Sequence, residues 1–203
     1  MDLRARPTRQ KRSAKTQRKL IDAAIDCLIE DGLGKLTTTE VCRRAGTSQG
    51  SIFKHFPSKA ALISSAVETL YGQLIDAYRD AVASIPPEAD LVDACVDALW
   101  ALFQTPQLLA VFDLHISART DPVLRQVVAP MERAHRAKIR DIAALIFPDA
   151  QHTPHFLRGI EIVINSVQGA AVGSMALREE EVLDELIAGL KMIARHFLET
   201  SHD

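Results

Sequence analysis

Residues 36–62 read LTTTEVCRRAGTSQGSIFKHFPSKAAL, and this stretch decides which fold to expect. Thr37 precedes Glu40 by three residues, the spacing of a capping box in which hydroxyl and carboxylate satisfy first-turn amides. A short helix through Ala45 is therefore predicted. Gly46 then permits a tight turn, because glycine adopts conformations that other residues avoid.

A second short helix follows the turn. Ser48 is a predicted helix cap, and Gln49 to His55 supply about two helical turns before Pro57 ends the helix. Ser58 is expected to cap the next helix, which begins at Lys59. Two short helices joined by a glycine-containing turn form a helix-turn-helix, whose second helix enters the DNA major groove.

The second helix has one apolar side. Ile52 and Phe56 lie four residues apart and are expected to anchor it against Val41 and Leu28. Glutamine, serine and lysine side chains pair with bases or phosphates, and Gly50 lets the backbone approach closely. An ordinary helical hairpin with solvated residues is the alternative. The side chains left for DNA are Gln49, Ser51, Lys54 and His55.

Charge is unevenly distributed along the chain of 203 residues, whose formal net charge is −2. Residues 1–60 hold 13 basic and 6 acidic side chains, whereas residues 61–203 hold 11 basic and 20 acidic ones. A basic end on an acidic remainder indicates a polyanionic partner for the first part, with nucleic acid the leading candidate. A solubilising tail is the alternative for the basic side chains nearest the N-terminus: Arg4, Arg6, Arg9, Lys11 and Arg12.

Helical patterns continue along the whole chain. Apolar residues between Leu20 and Leu28 recur at spacings of three and four, which predicts a helix from about residue 13 to Glu30, ended by Gly32. Proline-containing breaks then delimit six further helices. Pro130 should kink or split the fourth of these. The predicted ranges are 59–84, 88–103, 106–118, 122–147, 154–177 and 180–200, giving an all-α chain of about nine helices.

The stretch at residues 36–62 closely resembles the DNA-binding domain of the TetR family of bacterial transcriptional repressors. The resemblance covers about residues 13–65 and implies a DNA-binding domain at 1–58 and a helical ligand-binding and dimerisation domain at 59–203. Many members carry tyrosine in place of Phe53, so the phosphate contact of that hydroxyl is absent here. The resemblance implies these DNA-contacting residues: Thr37, Thr47, Ser48, Gln49, Gly50, Ser51, Phe53, Lys54, His55 and Lys59.

The last two helices are the predicted dimer surface. Apolar residues between Ile160 and Met175 cover more than one helix face, which indicates a second packing partner. The resemblance implies a four-helix bundle with two helices from each protomer; the alternative is that both helices fill the protomer's own core. The predicted interface residues are Val163, Val167, Gly169, Ala170, Gly173, Leu186, Leu190 and Ile193.

A ligand pocket on the middle helices is expected from the family. Aromatic and apolar residues there could line it and a few polar groups could orient a ligand, although each residue is also typical of a protein core. His115 could equally bond a backbone carbonyl. The candidate ligand-binding residues are Trp100, Phe103, Phe112, His115, Arg119, Met131, Glu161, Asn165 and Gln168.

Other function classes lack support in the sequence. No nucleophile motif, phosphate-binding glycine loop or metal-ligand spacing is present, so an enzyme, a metal site and a cofactor are not expected. Cys27, Cys42 and Cys95 are interpreted as small apolar residues; for Cys42 a redox role is the alternative. No apolar run reaches the length of a membrane span, and a cytoplasmic, nucleoid-associated protein is expected.

The predicted function is a ligand-responsive repressor. It would bind a palindromic operator in double-stranded DNA as a homodimer and be released by a small-molecule effector. The helix from Lys59 is the expected lever, since it starts at the DNA and enters the regulatory part. An activator or ligand-independent regulator on the same scaffold, or a helical ligand-binding protein without DNA function, are the alternatives.

Overall fold

The computed structural model describes residues 9–150, 152 and 155–199, which form nine α-helices, one short 3-10 helix and no strand. The all-α prediction is confirmed. The 3-10 helix, Leu33–Lys35, follows the first α-helix. The α-helices are α1 (Arg9–Asp31), α2 (Thr38–Ala45), α3 (Gln49–His55), α4 (Lys59–Ala83), α5 (Leu91–Phe103), α6 (Pro106–Ala118), α7 (Pro122–Ile146), α8 (Phe156–Ser174) and α9 (Glu180–Glu199).

Local signals account for most helix ends. Gly32 has φ 75° and ends α1 in a backbone region that favours glycine. Helix α5 begins three residues later than predicted, because the Asp90 side chain accepts the Asp93 N–H at 3.0 Å and caps it there. The ends predicted at residues 154 and 200 lie outside the described residues.

Helix α7 contains Pro130. It runs unbroken from Pro122 to Ile146, so of the two predicted effects of Pro130, a kink or a split, the split does not occur. Pro130 is exposed, and water can therefore bond the carbonyl that loses its helical donor.

The chain forms two compact units. The first contains the described residues up to Leu70 together with Asp113–Met131, and we call it the DNA-side unit after the predicted helix-turn-helix that it holds. The second contains Tyr71–Phe112 together with the described residues from Glu132 onward, and we call it the regulatory unit after the predicted role of this part of the chain. The chain passes between them inside α4, α6 and α7, so these units do not coincide with a division after residue 58.

The core of the DNA-side unit lies where α1, α2 and α3 meet. The predicted anchors of α3 are fully inside it, with Ile52 1% and Phe56 3% exposed. Val41 and Leu28 are buried as well. The apolar side of α3 is thus packed as predicted, which leaves its opposite side to solvent.

In the regulatory unit, α5, α8 and α9 pack against one another. Helices α8 and α9 lie close together at Gly159, where an added Cβ would lie 2.6 Å from the Cβ of Phe197. Only glycine fits at that crossing without a shift of α9.

A hydropathy test finds no single described helix long and apolar enough to cross a membrane. Helices α5 and α6 pass the test only as a pair bent by 68°.

Candidate nucleic-acid interface

The start of α2 is capped by Thr37. Its Oγ1 accepts the N–H of Glu40 at 3.1 Å, as the capping-box spacing predicted. The reciprocal half of the box is not formed, because the Glu40 carboxylate bonds Arg43 and Arg44 instead. The Thr37 hydroxyl keeps its proton available for an acceptor such as a phosphate oxygen.

The turn between α2 and α3 depends on Gly46. Its φ of 62° and ψ of 41° are left-handed. The N–H of Thr47 donates to the carbonyl of Cys42 at 3.0 Å, closing the end of α2 in the Schellman pattern. Cys42 is buried and its Sγ donates to the Ser48 carbonyl at 3.5 Å, so it packs in the core as the sequence indicated.

Two predictions at this turn are corrected. Ser48 has the extended backbone of a cap residue, but its side chain makes no cap bond; its carbonyl accepts the Ser51 N–H at 2.9 Å. The Thr47 hydroxyl is buried without a partner in the described part of the chain. The Thr47 hydroxyl is therefore not exposed, as the predicted DNA contact of this side chain would require.

The outer side of α3 carries the other candidate residues. Gln49, Gly50 and Lys54 are exposed, and Phe53 is 57% exposed. Ser51 and His55 are half-buried. An exposed phenyl ring beside amide and ammonium groups is a surface that can contact both sugar and base edges.

The Gln49 amide is held in place by a residue the sequence reasoning missed. Its Nε2 donates to Oγ1 of Thr39 at 2.7 Å. Thr39 lies in the first turn of α2, ten positions earlier in the chain, and both side chains are exposed. No short-range spacing rule links the two, so only the packing of α2 against α3 brings them together.

A cluster of charges joins the end of α1 to α2. Arg44 donates to Glu30 at 2.6 Å, to Glu40 at 2.7 Å and also to Asp31. Hydrogen bonds from Arg43 and then Arg44 lower the pKa of Glu40 to about 2. These two arginines belong to the basic segment, yet their charge is used inside the fold and is less available to a polyanion.

Other cations of this segment remain open to an external anion. Lys54 and Lys59 are exposed and form no ion pair with any described residue. Ser58 caps α4 as predicted, with its Oγ accepting the Ala61 N–H at 3.1 Å. The cap fixes Lys59 at the first position of α4, which follows α3 directly in the sequence.

The predicted interface residues on α8 and α9 divide into two groups. Val163, Val167 and Leu190 are buried inside the protomer and are corrected to core positions. Ala170 is half-buried. The other four, Gly169, Gly173, Leu186 and Ile193, are exposed.

These exposed positions belong to a larger apolar surface, which we call the α8–α9 face. The predicted interface residues do not include its further members, because one repeat of 3.6 residues serves both the buried and the exposed side of each helix. Further large apolar side chains that α8 and α9 expose include Ile162, Val172, Val182 and Met192.

The regulatory unit holds an apolar cavity of about 60 Å³. Residues of α4, α5, α7, α8 and α9 line it, and no charged side chain is among them. Its polar groups are the hydroxyl of Tyr78, whose pKa burial raises, and the thiol of Cys95, whose pKa burial raises to about 11. Both are therefore neutral at pH 7.

None of the candidate ligand-binding residues lines this cavity. Phe103 and Phe112 are buried against each other with ring centroids 6.0 Å apart, because they complete the protomer core. Trp100, His115, Met131 and Gln168 are half-buried, and Arg119 is exposed.

The two remaining polar candidates belong to an ionic cluster. Glu161 accepts from Arg136 at 2.8 Å and from Arg140 at 3.1 Å. Asn165 is exposed, and its side chain donates to the Glu161 carbonyl at 2.6 Å. The two arginines offset the negative charge of the Glu161 carboxylate. Glu161 does not line the apolar cavity.

Metal binding finds no support among the described residues. They contain no group of three or more His, Cys, Asp or Glu side chains that could hold a metal ion.

The sequence is similar to those of known regulators. A model of the bacterial regulatory proteins of the TetR family matches residues 20–66. Over 197 residues the chain is 29% identical to the HTH-type transcriptional regulator CymR of Pseudomonas putida, and the match covers 94% of each chain.

Solved structures share the fold. A transcriptional regulator from Rhodococcus sp. Rha1 superposes with a TM-score of 0.66 at 21% identity, covering 91% of this chain and 96% of the other. The multidrug binding protein EbrR, complexed with proflavin, superposes with a TM-score of 0.59 at 22% identity, covering 88% of this chain and 99% of the other.

Proposed function

Because this chain belongs to the TetR family of transcriptional regulators, we propose that it represses transcription as a homodimer on a palindromic operator and is released by a small molecule. One observation carries the proposal. Helix α3 buries Ile52 and Phe56 and exposes Gln49, Phe53 and Lys54 on its other side.

On the operator, α3 occupies the major groove. Gln49 reads adenine through its carbonyl and amide groups, and Lys54 binds guanine or phosphate. Thr37 and Lys59, at the starts of α2 and α4, bind phosphates on either side and set the register of α3 without reading bases. The unpaired charges of Lys54 and Lys59 support this assignment.

Dimerisation uses the α8–α9 face. Exposure of large apolar side chains to water is unfavourable. The same face of a second protomer would cover Ile162 (42% exposed), Val182 (55%) and Met192 (72%). An added Cβ at Gly169 or Gly173 would meet no heavy atom within 4 Å, so a facing helix can approach closely there. A two-fold axis through this face matches a palindromic operator.

The effector binds in the apolar cavity of the regulatory unit. Its lining carries no charge at pH 7, so an uncharged, apolar molecule fits it, whereas a carboxylate would be buried without a partner. Ligand pockets commonly measure about 300–1,000 Å³. The cavity, at about 60 Å³, must therefore enlarge, which requires side chains of its lining to shift.

Release requires that the effector favour the arrangement that does not bind DNA. A ligand with equal affinity for both arrangements would shift nothing. Expansion of the cavity supplies this difference in effector affinity. The wall of the cavity includes Tyr78 of α4, and α4 begins at Lys59, so a shift of α4 would link the cavity to the DNA contact.

The DNA proposal is tested by the salt dependence of operator binding. The operator is first selected from a randomised duplex pool. The logarithm of the binding constant should then fall linearly with the logarithm of salt concentration, by about 0.9 for each phosphate neutralised. Lys59→Ala should reduce this slope and weaken binding to all DNA sequences alike. Asp76→Ala, which removes an exposed charge on the same helix, serves as the control. A flat salt dependence would refute the DNA assignment.

The effector proposal is tested by a melting-temperature screen with uncharged monocyclic arenes and their carboxylate counterparts. The uncharged members should raise the melting temperature and lower operator affinity. Ala143→Leu, which fills the cavity, should abolish both effects. Stabilisation by the carboxylates alone would exclude this cavity as the effector site.

A further inference from the structure

We propose that Thr39 positions Gln49 for base readout, so that operator specificity depends on a pair of side chains from two helices. The inference rests on the proposed function and adds a residue to it. It starts from one hydrogen bond, in which Nε2 of Gln49 donates to Oγ1 of Thr39 at 2.7 Å.

The chemistry of a primary amide makes this bond compatible with base reading. Bidentate recognition of adenine uses the carbonyl oxygen of Gln49 and the amide hydrogen on the same side. The second amide hydrogen points away from that edge. When the second hydrogen is the one donated to Thr39, the reading edge is left unoccupied for the base.

The bond also restricts the side chain that must read the base. Gln49 is the first residue of α3 and is exposed, so without Thr39 its side chain would sample several rotamers. Ordering such a side chain on DNA costs conformational entropy. Thr39 removes part of that cost before the complex forms, as preorganisation does at other interfaces.

The bond contributes little to the fold itself. Both partners are exposed, and the start of α2 is already capped by Thr37. The packing of α3 depends on Ile52 and Phe56. Loss of the Thr39 hydroxyl should therefore alter base preference while leaving thermal stability almost unchanged.

The test is a double-mutant cycle on the full-length protein. Wild type, Thr39→Val, Gln49→Ala and the double variant are each used to select from a randomised duplex pool, and their affinities for the wild-type operator are measured. Valine keeps the shape of threonine and removes only the hydroxyl. Thr39→Ser, which retains the hydroxyl, is the matched control.

We expect Thr39→Val to weaken operator binding by about two- to tenfold, the range of one lost hydrogen bond. It should also relax the preference at the same symmetric base pair as Gln49→Ala. Thr39→Ser should bind as wild type does. In the Gln49→Ala background, Thr39→Val should have no further effect, because there is no amide left to position.

Two results would overturn the inference alone: an unchanged base preference in Thr39→Val, or losses that simply add in the double variant, which would make Thr39 an independent DNA contact. Failure of wild type to select any sequence would instead overturn the proposed function, and this inference with it.

Discussion

The recognition segment, Thr37 to Lys59, and the α8–α9 face differ in what holds their functional side chains in place. In the recognition segment, hydrogen bonds over short stretches of chain fix the backbone and Gln49 itself. On the α8–α9 face, large apolar side chains such as Val182 and Met192 are exposed and make no such bonds.

This difference indicates what each surface needs. Polar side chains that are ordered in the free protein can meet a rigid polyanion without large rearrangement. Apolar side chains in water are stabilised only when another surface covers them. In the proposed homodimer, the recognition segment is complete in a single protomer, whereas the α8–α9 face is completed by a second copy.

The largest expected effect comes from breaking the α8–α9 face. Gly173→Glu should convert the dimer into a monomer, since it places two like charges close to the two-fold axis. The protomer itself has room for the side chain, because nothing lies within 4 Å of an added Cβ. Operator affinity should fall by orders of magnitude, and sedimentation should give the monomer mass.

The matched control for that variant is Gly72→Glu, the same change on α4 at another glycine with no heavy atom within 4 Å of an added Cβ. It should remain dimeric. A dimeric Gly173→Glu with wild-type affinity would place the interface on other helices.

A smaller effect is expected at the packed crossing of α8 and α9. Gly159→Ala should lower the free energy of unfolding by about 1–3 kcal/mol, the usual cost of overpacking, because the new methyl would lie 2.6 Å from the Cβ of Phe197. Gly72→Ala, in open space, should instead stabilise by up to about 1 kcal/mol. Urea unfolding at fixed protein concentration measures both, and equal shifts would contradict the close packing.

In the DNA-side unit, stability should depend on pH through Glu40. Its pKa in the folded protein is about 2, below its usual value, so its stabilisation is present above about pH 4.5 and is lost as the pH falls through about 2. Glu40→Gln should therefore lower the urea midpoint at pH 7 and change it much less near pH 2. Glu68→Gln, on the exposed side of α4, should have little effect at either pH. Identical pH profiles for wild type and Glu40→Gln would show that the ionic contacts of Glu40 do not stabilise the fold.

The smallest effect is expected at Phe53. Phe53→Tyr adds a hydroxyl to a ring that is already 57% exposed, and this should strengthen operator binding a few-fold by donating to a phosphate. Phe53→Leu, measured in the same assay, separates the hydroxyl from the apolar contact of the ring. Weaker binding by the tyrosine variant would show that the ring packs tightly against sugar.

Much of the fold was predictable from sequence because its signals are short. The Thr37 and Ser58 caps, the turn at Gly46 and the helix-breaking Pro57 each act within about four residues. Amphipathic spacing likewise identified Ile52 and Phe56 as buried. These features depend on local stereochemistry, which the order of residues determines alone.

The site was less predictable. Sequence spacing could not reveal that the Thr47 hydroxyl turns inward or that Thr39 bonds Gln49. It also could not locate the apolar cavity, whose walls come from five helices.

The amino-acid sequence by itself determined the all-α class, the helix-turn-helix and most helix ends, since these follow from caps, breakers and a period of 3.6 residues. The tertiary structure decided which apolar residues of α8 and α9 face inward, such as Val167 and Leu190, and which face outward, such as Leu186 and Ile193. A helix with apolar residues on two sides carries no local mark of which side meets its own protomer. Only the packing of distant segments makes that choice.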